Sequence, residues 1–185
     1  MRCSKKFEEL NKANHNRALL DCGEEPLNHF IKQQALRHMK ANISRTMVLP
    51  VADDAFNKED VANDKQEICA FYTITPSSIS RKHLPKDVTK KLPHYPIPVF
   101  LLAQLAVDKQ QHGKGLGKIT LIKALEHLYR INVHMRAYAI VVDCLNENAE
   151  GFYQKFGFEV FGEQNGMLRM YLPMKQLDFL FGELC

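Results

Sequence analysis

From Val99 to Val107 the chain reads Val-Phe-Leu-Leu-Ala-Gln-Leu-Ala-Val, too short to cross a bilayer and too apolar for a surface. Such a run suits a strand covered on both faces. Gly113, Gly115 and Gly117 follow at alternate positions, and Leu121, Ile122, Leu125, Leu128 and Tyr129 then recur at the spacing of one buried helical stripe. Buried strand, glycine-rich turn and amphipathic helix form one unit, which requires an α/β architecture built around that strand. Glycines let a backbone close on a ligand, and the unpaired amides at a helix start favour phosphate oxygens. Two nucleotide motifs are excluded. Gly117-Lys118-Ile119 lacks the hydroxyl of a Walker loop, and Thr120 leaves Gly-x-Gly-x-x-Gly incomplete. On its own the turn leaves open a structural bend or an anion site.

The remaining elements follow from pattern. Pro26 suits a first helical turn, and Leu27, Phe30, Ile31 and Ala35 give that helix an apolar face. Arg45 to Val51 and Ile68 to Ile74 read as two antiparallel strands joined across the polar, acidic insertion Asp53 to Gln66. Ser77 to Lys91 holds a short basic helix, and Pro93, Pro96 and Pro98 forbid regular structure before Val99. Tyr138 to Cys144 is another buried strand, and Asn148 to Phe156 a short helix. Phe158 to Phe161 and Leu168 to Leu172 make a closing hairpin across Gly162 and Gly166. The tail after Met174 has no assigned role. With no repeat or linker, residues 1–185 form a single domain of mixed α/β class around a partly parallel sheet.

Composition narrows the function classes. The 185 residues are 45% hydrophobic and 25% charged, as in an ordinary soluble globular protein. The start, Met1-Arg2-Cys3-Ser4-Lys5-Lys6, is no secretory leader, and no apolar run suits a membrane span. Five widely spaced cysteines without a Cys-x-x-Cys pair suit a reducing cytoplasm. The histidines His29, His38, His83, His94, His127 and His134 show no ligand spacing, so no metal is expected.

The net charge of +4 is modest, but its distribution is uneven. Phe30 to Pro50 holds no acid against Lys32, Arg37, Lys40 and Arg45, and Pro76 to Gln104 holds only Asp87 against Arg81, Lys82, Lys86, Lys90 and Lys91. A solvated surface of mixed charge and a basic face for a polyanion both fit this pattern.

His112 to Gly117 resembles the Arg/Gln-x-x-Gly-x-Gly/Ala acetyl-CoA motif of the GNAT superfamily of N-acetyltransferases, with His112 in place of the usual Arg or Gln. Asn146 and Tyr153, seven residues apart and followed by Gly157-Phe158, resemble the superfamily's second signature. The resemblance narrows to the GNAT toxins of type II toxin–antitoxin systems. It does so through Asp21-Cys22-Gly23, Leu27-Asn28, Ala35-Leu36, Ser44-Arg45-Thr46, Phe71 to Ile74 with Ser80, Pro96 to Val99 and Leu105 to Asp108. These span about Asn14 to Leu172.

The resemblance implies a GNAT fold, with a central, mostly antiparallel sheet, a splayed parallel strand pair and flanking helices. Acetyl-CoA is the implied cosubstrate. Its pantetheine arm would lie along Leu105, Ala106 and Val107, with pairing from the backbones of Leu105 and Val107. Its pyrophosphate would lie on the amides of Gly113, Lys114, Gly115, Leu116, Gly117 and Lys118, with His112 in the same loop. Asn146 is either a helix cap or a cofactor contact. Tyr153 is the implied acid for the departing thiolate, since a phenol of pKa about 10 matches a thiolate of pKa roughly 8.5.

The toxin resemblance implies aminoacyl-tRNA as acceptor, blocked translation, and a ribbon-helix-helix antitoxin as partner, and it leaves homodimerisation open. A free α-amine with a pKa of about 7.7 needs little help from a base. Lys32, Arg37, Lys40, Arg45, Arg81 and Lys82 are the candidate RNA contacts. A small amine or protein amino group as acceptor, or a non-catalytic module that binds coenzyme A or RNA, are the alternatives.

Overall fold

A computed structural model describes residues 2–52, 65–84, 89–90 and 92–182. Most of the acidic insertion, and Lys86, Asp87 and Lys91, therefore lie outside the described residues. The sheet has eight strands and is mostly antiparallel. Contacts gather the chain into two units, Met1–Ile74 with Gln104–Ala124, and Thr75–Ala103 with Leu125–Cys185.

The first unit contains β1 (Glu8–Glu9), β2 (His15–Asn16), β3 (Arg45–Pro50) and the first part of β4 (Gln66–Ile79). β1 and β3 pair antiparallel, as do β3 and β4, while β2 lies parallel on β4. The two shortest strands carry too little pattern to be read from sequence. β2 pins itself through His15, whose Nε2 lies 2.6 Å from Glu8 Oε1 and whose Nδ1 accepts from the Asn11 amide. Thr46 faces Thr73 across β3 and β4, and their buried hydroxyls satisfy each other at 2.8 Å.

The helix expected after Pro26 is present in three pieces: α1 (Glu25–His29), a π turn (Phe30–Gln34) and α2 (Ala35–Lys40). Pro26 lies in the first turn, where its missing amide costs nothing. Phe30, Ile31 and Ala35 are buried with Leu20, Val48 and Phe71, and the rings of Phe30 and Phe71 stack at 6.5 Å. A π turn disturbs the carbonyl ladder, and a charged donor answers it. Arg17 Nη1 donates to the carbonyls of Ile31 (3.1 Å) and Lys32 (2.8 Å). Partial burial lowers the guanidinium pKa, yet an arginine stays charged.

The second unit orders the first part of β5 (Ile97–Val107), then β6 (Ala139–Cys144), β8 (Met167–Pro173) and β7 (Glu159–Gln164), while the end of β5 from Gln104 belongs to the first unit. β5 and β6 are parallel over Phe100 opposite Ile140 and Leu101 opposite Val141, a short pairing inside longer strands. Val99, Val141, Tyr171, Ile79 and Leu84 share one core cluster. Asp143 faces Arg169 across β6 and β8 in a bidentate pair of 2.6 and 2.9 Å. A register slip would strand the buried guanidinium, so this pair locks the alignment.

Several expectations are corrected here. β4 continues through Ile79, and a 3-10 turn, Arg81–His83, lies in the segment expected to hold the basic helix, of which residues 85–88 and 91 lie outside the described residues. β5 starts at Ile97 and includes Pro98, whose carbonyl still accepts from the Tyr138 amide at 2.8 Å. The β7–β8 turn is Asn165-Gly166, both with positive φ as a tight hairpin demands, whereas Gly162 lies within β7 at a register shift. The tail forms a helix, α5 (Met174–Phe181), labelled after α3 (Leu116–His134) and α4 (Glu147–Gln154). It docks through Phe181 against Tyr129, whose hydroxyl donates to Asp178.

Replacing Arg17 with Met keeps the aliphatic stem and removes the donors to the π turn. Hydrogen bonds to charged groups are worth about 1.5–3 kcal/mol. The expected result is a destabilisation of that order, read as a lower urea midpoint at unchanged m-value.

Candidate active site

The first unit holds the glycine loop. Side chains alternate along β5, so Ala106 is buried with Phe30, Ile31 and Phe71, while Val107 packs with Leu49, Val51, Cys69 and Leu116. Leu105 is half-buried. The strand thus delivers Asp108 from a fixed point. The Asp108 amide donates to the Cys69 carbonyl on β4 at 2.8 Å, and its carboxylate accepts from the amides of Gln110 and Asp21. A 3-10 turn, Lys109–Gln111, follows.

Asp21 completes the brace from the other end of the sequence. Its carbonyl accepts from the Lys109 amide at 2.8 Å, and Lys109 Nζ lies 2.6 Å from its Oδ2. Lys109, the Gly23 amide and the Asn28 side chain together hold the Asp21 carboxyl well below the usual carboxylate range. Asp21 also raises the pKa of Lys109. In the sequence Asp21 stands out only within the Asp21-Cys22-Gly23 resemblance, because nothing local links it to a lysine 88 positions away.

His112 fills the place of the family's Arg or Gln. Its Nε2 lies 2.9 Å from the Val107 carbonyl, which can only accept, so Nε2 carries the proton. The ring braces the loop against the strand it left, as an Arg or Gln donor could. A carbonyl oxygen has two lone pairs, so this bond does not exclude the cofactor pairing expected at Val107. Gly113 and Gly115 adopt φ of 74° and 75°, and a Cβ at either position would meet nothing within 4 Å. Left-handed backbone beside open space, ahead of the α3 N-terminus, gives amides room to meet an anion. The loop therefore fits the phosphates of coenzyme A. Lys114 Nζ donates to the Gln110 carbonyl (2.8 Å) and lies 3.3 Å from Gln111 Oε1, whereas Lys118 is exposed on α3. Leu116 and Gly117 form the first turn of α3.

The second unit holds Asn146 and Tyr153. Asn146 caps α4, accepting from the Ala149 amide at 3.0 Å, which starts the helix at Glu147 rather than Asn148. Tyr153, the penultimate residue of α4, is 8% exposed and packed between Phe152 and Phe158 at ring distances of 5.3 Å. Burial, and secondarily the Cys144 thiol, push its phenol well above the ordinary value. Tyr153 is therefore a proton donor at any physiological pH. Burial also lifts Cys144 to about 11, with help from Glu150 and Asp143, so it remains a thiol and no nucleophile.

The basic candidates divide between the units. Lys32 is half-buried in the π turn, and Arg37 and Lys40 are exposed on α2. Arg45 on β3 is 3.3 Å from Glu9 in an exposed pair, an interaction of small energy. In the second unit, Ser80 caps the turn carrying Arg81 and Lys82. Arg81 Nη1 lies within 3.1 Å of both ring nitrogens of His94, a pairing that the spacing of the histidines does not announce. Among the described residues, no group of three His, Cys, Asp or Glu side chains could hold a metal, and no helix is long and apolar enough to cross a membrane.

The family model for an acetyltransferase (GNAT) domain matches residues 60–160. A tRNA-acetylating toxin of Mycobacterium tuberculosis is 30% identical over 146 residues, 72% of this chain and 86% of that protein. Among solved structures, AtaT complexed with acetyl-methionyl-tRNAfMet superposes with a TM-score of 0.80 at 27% identity, covering 95% of this chain and 98% of AtaT. A tyrosine-to-phenylalanine variant of KacT gives a TM-score of 0.83 at 26% identity, over 98% of this chain and all of KacT's. The chain belongs to the GNAT family and is an acetyltransferase.

The Asp21 brace has a pH signature. A carboxyl depressed in the folded state contributes stability that is complete above its unfolded pKa of about 3.9 and is lost as pH falls through the folded value. Asp21→Asn is expected to lower stability at pH 7 and to flatten this acid-side loss. Urea midpoints between pH 6 and pH 2 for both proteins check it; parallel curves would remove Asp21 as the source.

Proposed function

We propose that this chain transfers the acetyl group of acetyl-CoA to the α-amine of an aminoacyl-tRNA and so acts as a translation-blocking toxin. The observation that carries the reading is the braced loop from Asp108 to Lys118, with Gly113 and Gly115 left-handed beside open space. Similarity to a tRNA-acetylating toxin over most of the chain supports the acceptor. Acetyl-CoA, when bound, supplies the thioester.

This chain's residues do the rest. The amides of Gly113 to Lys118 bind the pyrophosphate, and the backbone of Leu105 and Val107 pairs with the pantetheine amides. Asn146 fixes the start of α4 and thereby the helix that carries Tyr153. The neutral amine forms its bond to the thioester carbon as the carbon–sulfur bond breaks, the Tyr153 hydroxyl delivers its proton to the departing thiolate, and the proton shed by the acylated amine returns the phenol to its neutral form. Because the phenol is held protonated by burial, it is ready without prior proton uptake. Lys32, Arg37, Lys40, Arg45, Arg81 and Lys82 attract the RNA phosphates. A cytoplasmic setting, with a ribbon-helix-helix antitoxin as its restraint and a second copy of the chain as a further partner, completes the reading.

Labelled acetyl-CoA incubated with a pool of charged tRNAs tests it; absence of label on every aminoacyl group sinks the proposal. Apparent affinity for charged tRNA is expected to fall steeply with added salt, as phosphate binding requires.

Tyr153→Phe separates acid catalysis from packing. The phenyl ring keeps the aromatic contacts, so the KM for acetyl-CoA should hold while kcat falls by roughly 10²–10⁴-fold. In the unmodified enzyme the raised phenol pKa predicts that the midpoint of any rate loss from Tyr153 ionisation lies above the ordinary phenol value, which a pH–rate profile checks.

A further inference from the structure

The second unit contains a cavity of about 370 Å³ outside the glycine loop and Tyr153, within the size range of small-ligand sites. Its wall is chemically mixed. Arg81 and Lys82 bring two cations on one short turn, which is held by the Ser80 cap. Opposed to them in sequence, His94, Tyr95 and Pro96 supply flat and apolar surface. Tyr95 is 66% exposed, so its ring is open to a ligand from solvent. Leu84, 6% exposed, gives the floor an apolar anchor in the Ile79–Tyr171 core cluster.

We propose that this cavity binds one unpaired nucleotide of an RNA strand, its base stacked on Tyr95 and its phosphate held by Arg81 and Lys82. Three observations converge on that ligand. A phosphate accounts for the paired cations, while an accessible aromatic ring beside them accounts for a base, because every base presents a π-face. His94 lies within hydrogen-bond distance of Arg81, which positions the guanidinium at the cavity wall instead of leaving it to roam. Proline at 96 and the start of β5 at Ile97 fix the backbone that presents Tyr95, so the platform is preformed.

The same chemistry, a base plus phosphate, is offered by the adenine nucleotide of coenzyme A. The two sources differ in which affinity depends on Tyr95. The assignment to RNA rests on the acceptor proposed above, and it deepens that reading by naming a contact that reads a base rather than charge alone.

Fluorescence anisotropy with a labelled single-stranded RNA tetranucleotide measures the site without acetyl transfer. Tyr95→Ala is expected to weaken binding about tenfold, and Tyr95→Phe, which keeps the ring, to restore it. In transfer assays, Tyr95→Ala should raise the KM for charged tRNA by a similar factor while kcat and the KM for acetyl-CoA stay unchanged; the last two also report that the variant is folded. Equal tetranucleotide affinity for the unmodified protein and Tyr95→Ala overturns the proposal. A rise in the KM for acetyl-CoA reassigns the cavity to the cofactor and overturns it too. Tetranucleotide binding that depends on Tyr95 upholds the site even if no charged tRNA is acetylated, so the two readings fail separately.

Discussion

The brace around Asp108 is the constraint on which the glycine loop depends. A strand end, a backbone bond to β4 and a salt bridge from Asp21 fix where the chain leaves β5. Only then does left-handed backbone at Gly113 and Gly115 point amides in a defined direction rather than adding entropy. The loop is consequently stiff at its root and permissive at its tip. That division suits an anion cradle, which must hold its donors ready while leaving space for the phosphates themselves.

A different device prepares Tyr153. Its protonation is secured by exclusion of water, with Phe152 and Phe158 as walls, rather than by a hydrogen-bonded partner chosen for the purpose. The same burial silences Cys144. One apolar pocket thus keeps a phenol protonated and a neighbouring sulfur unreactive.

Legibility in the sequence followed the range of the interactions. The β5 run, the α3 stripe and the β6 run were visible because each burial pattern repeats within a dozen residues. Asn146 announced both of its readings, and the structure displays the cap. Elements set by distant partners were hidden. β2 rests on His15 meeting Glu8, and the tail helix on Phe181 meeting Tyr129. Gly162 misled because glycine marks bulges as readily as turns, and the Asn165-Gly166 pair beside it carried the stronger turn chemistry. For the site, the glycines and Tyr153 were readable as motif members. The Asp21–Lys109 brace and the His94–Arg81 contact were not, since each joins segments that no local periodicity connects.

The π turn at Phe30–Gln34 has a consequence for how the chain tolerates length changes. A π turn accommodates one residue more than the α-helix around it, and each residue of an α-helix advances the azimuth by about 100°. Loss of a single residue within the turn would let α1 and α2 merge into one regular helix. Because the extra residue is absorbed inside the turn, everything downstream would keep its direction relative to Phe30 and Ile31. Arg37 and Lys40 would stay on the face they occupy now. Homologous chains one residue shorter here are thus expected to carry their basic side chains on the same face, and an alignment that places its gap outside the turn would pair residues that do not share a face.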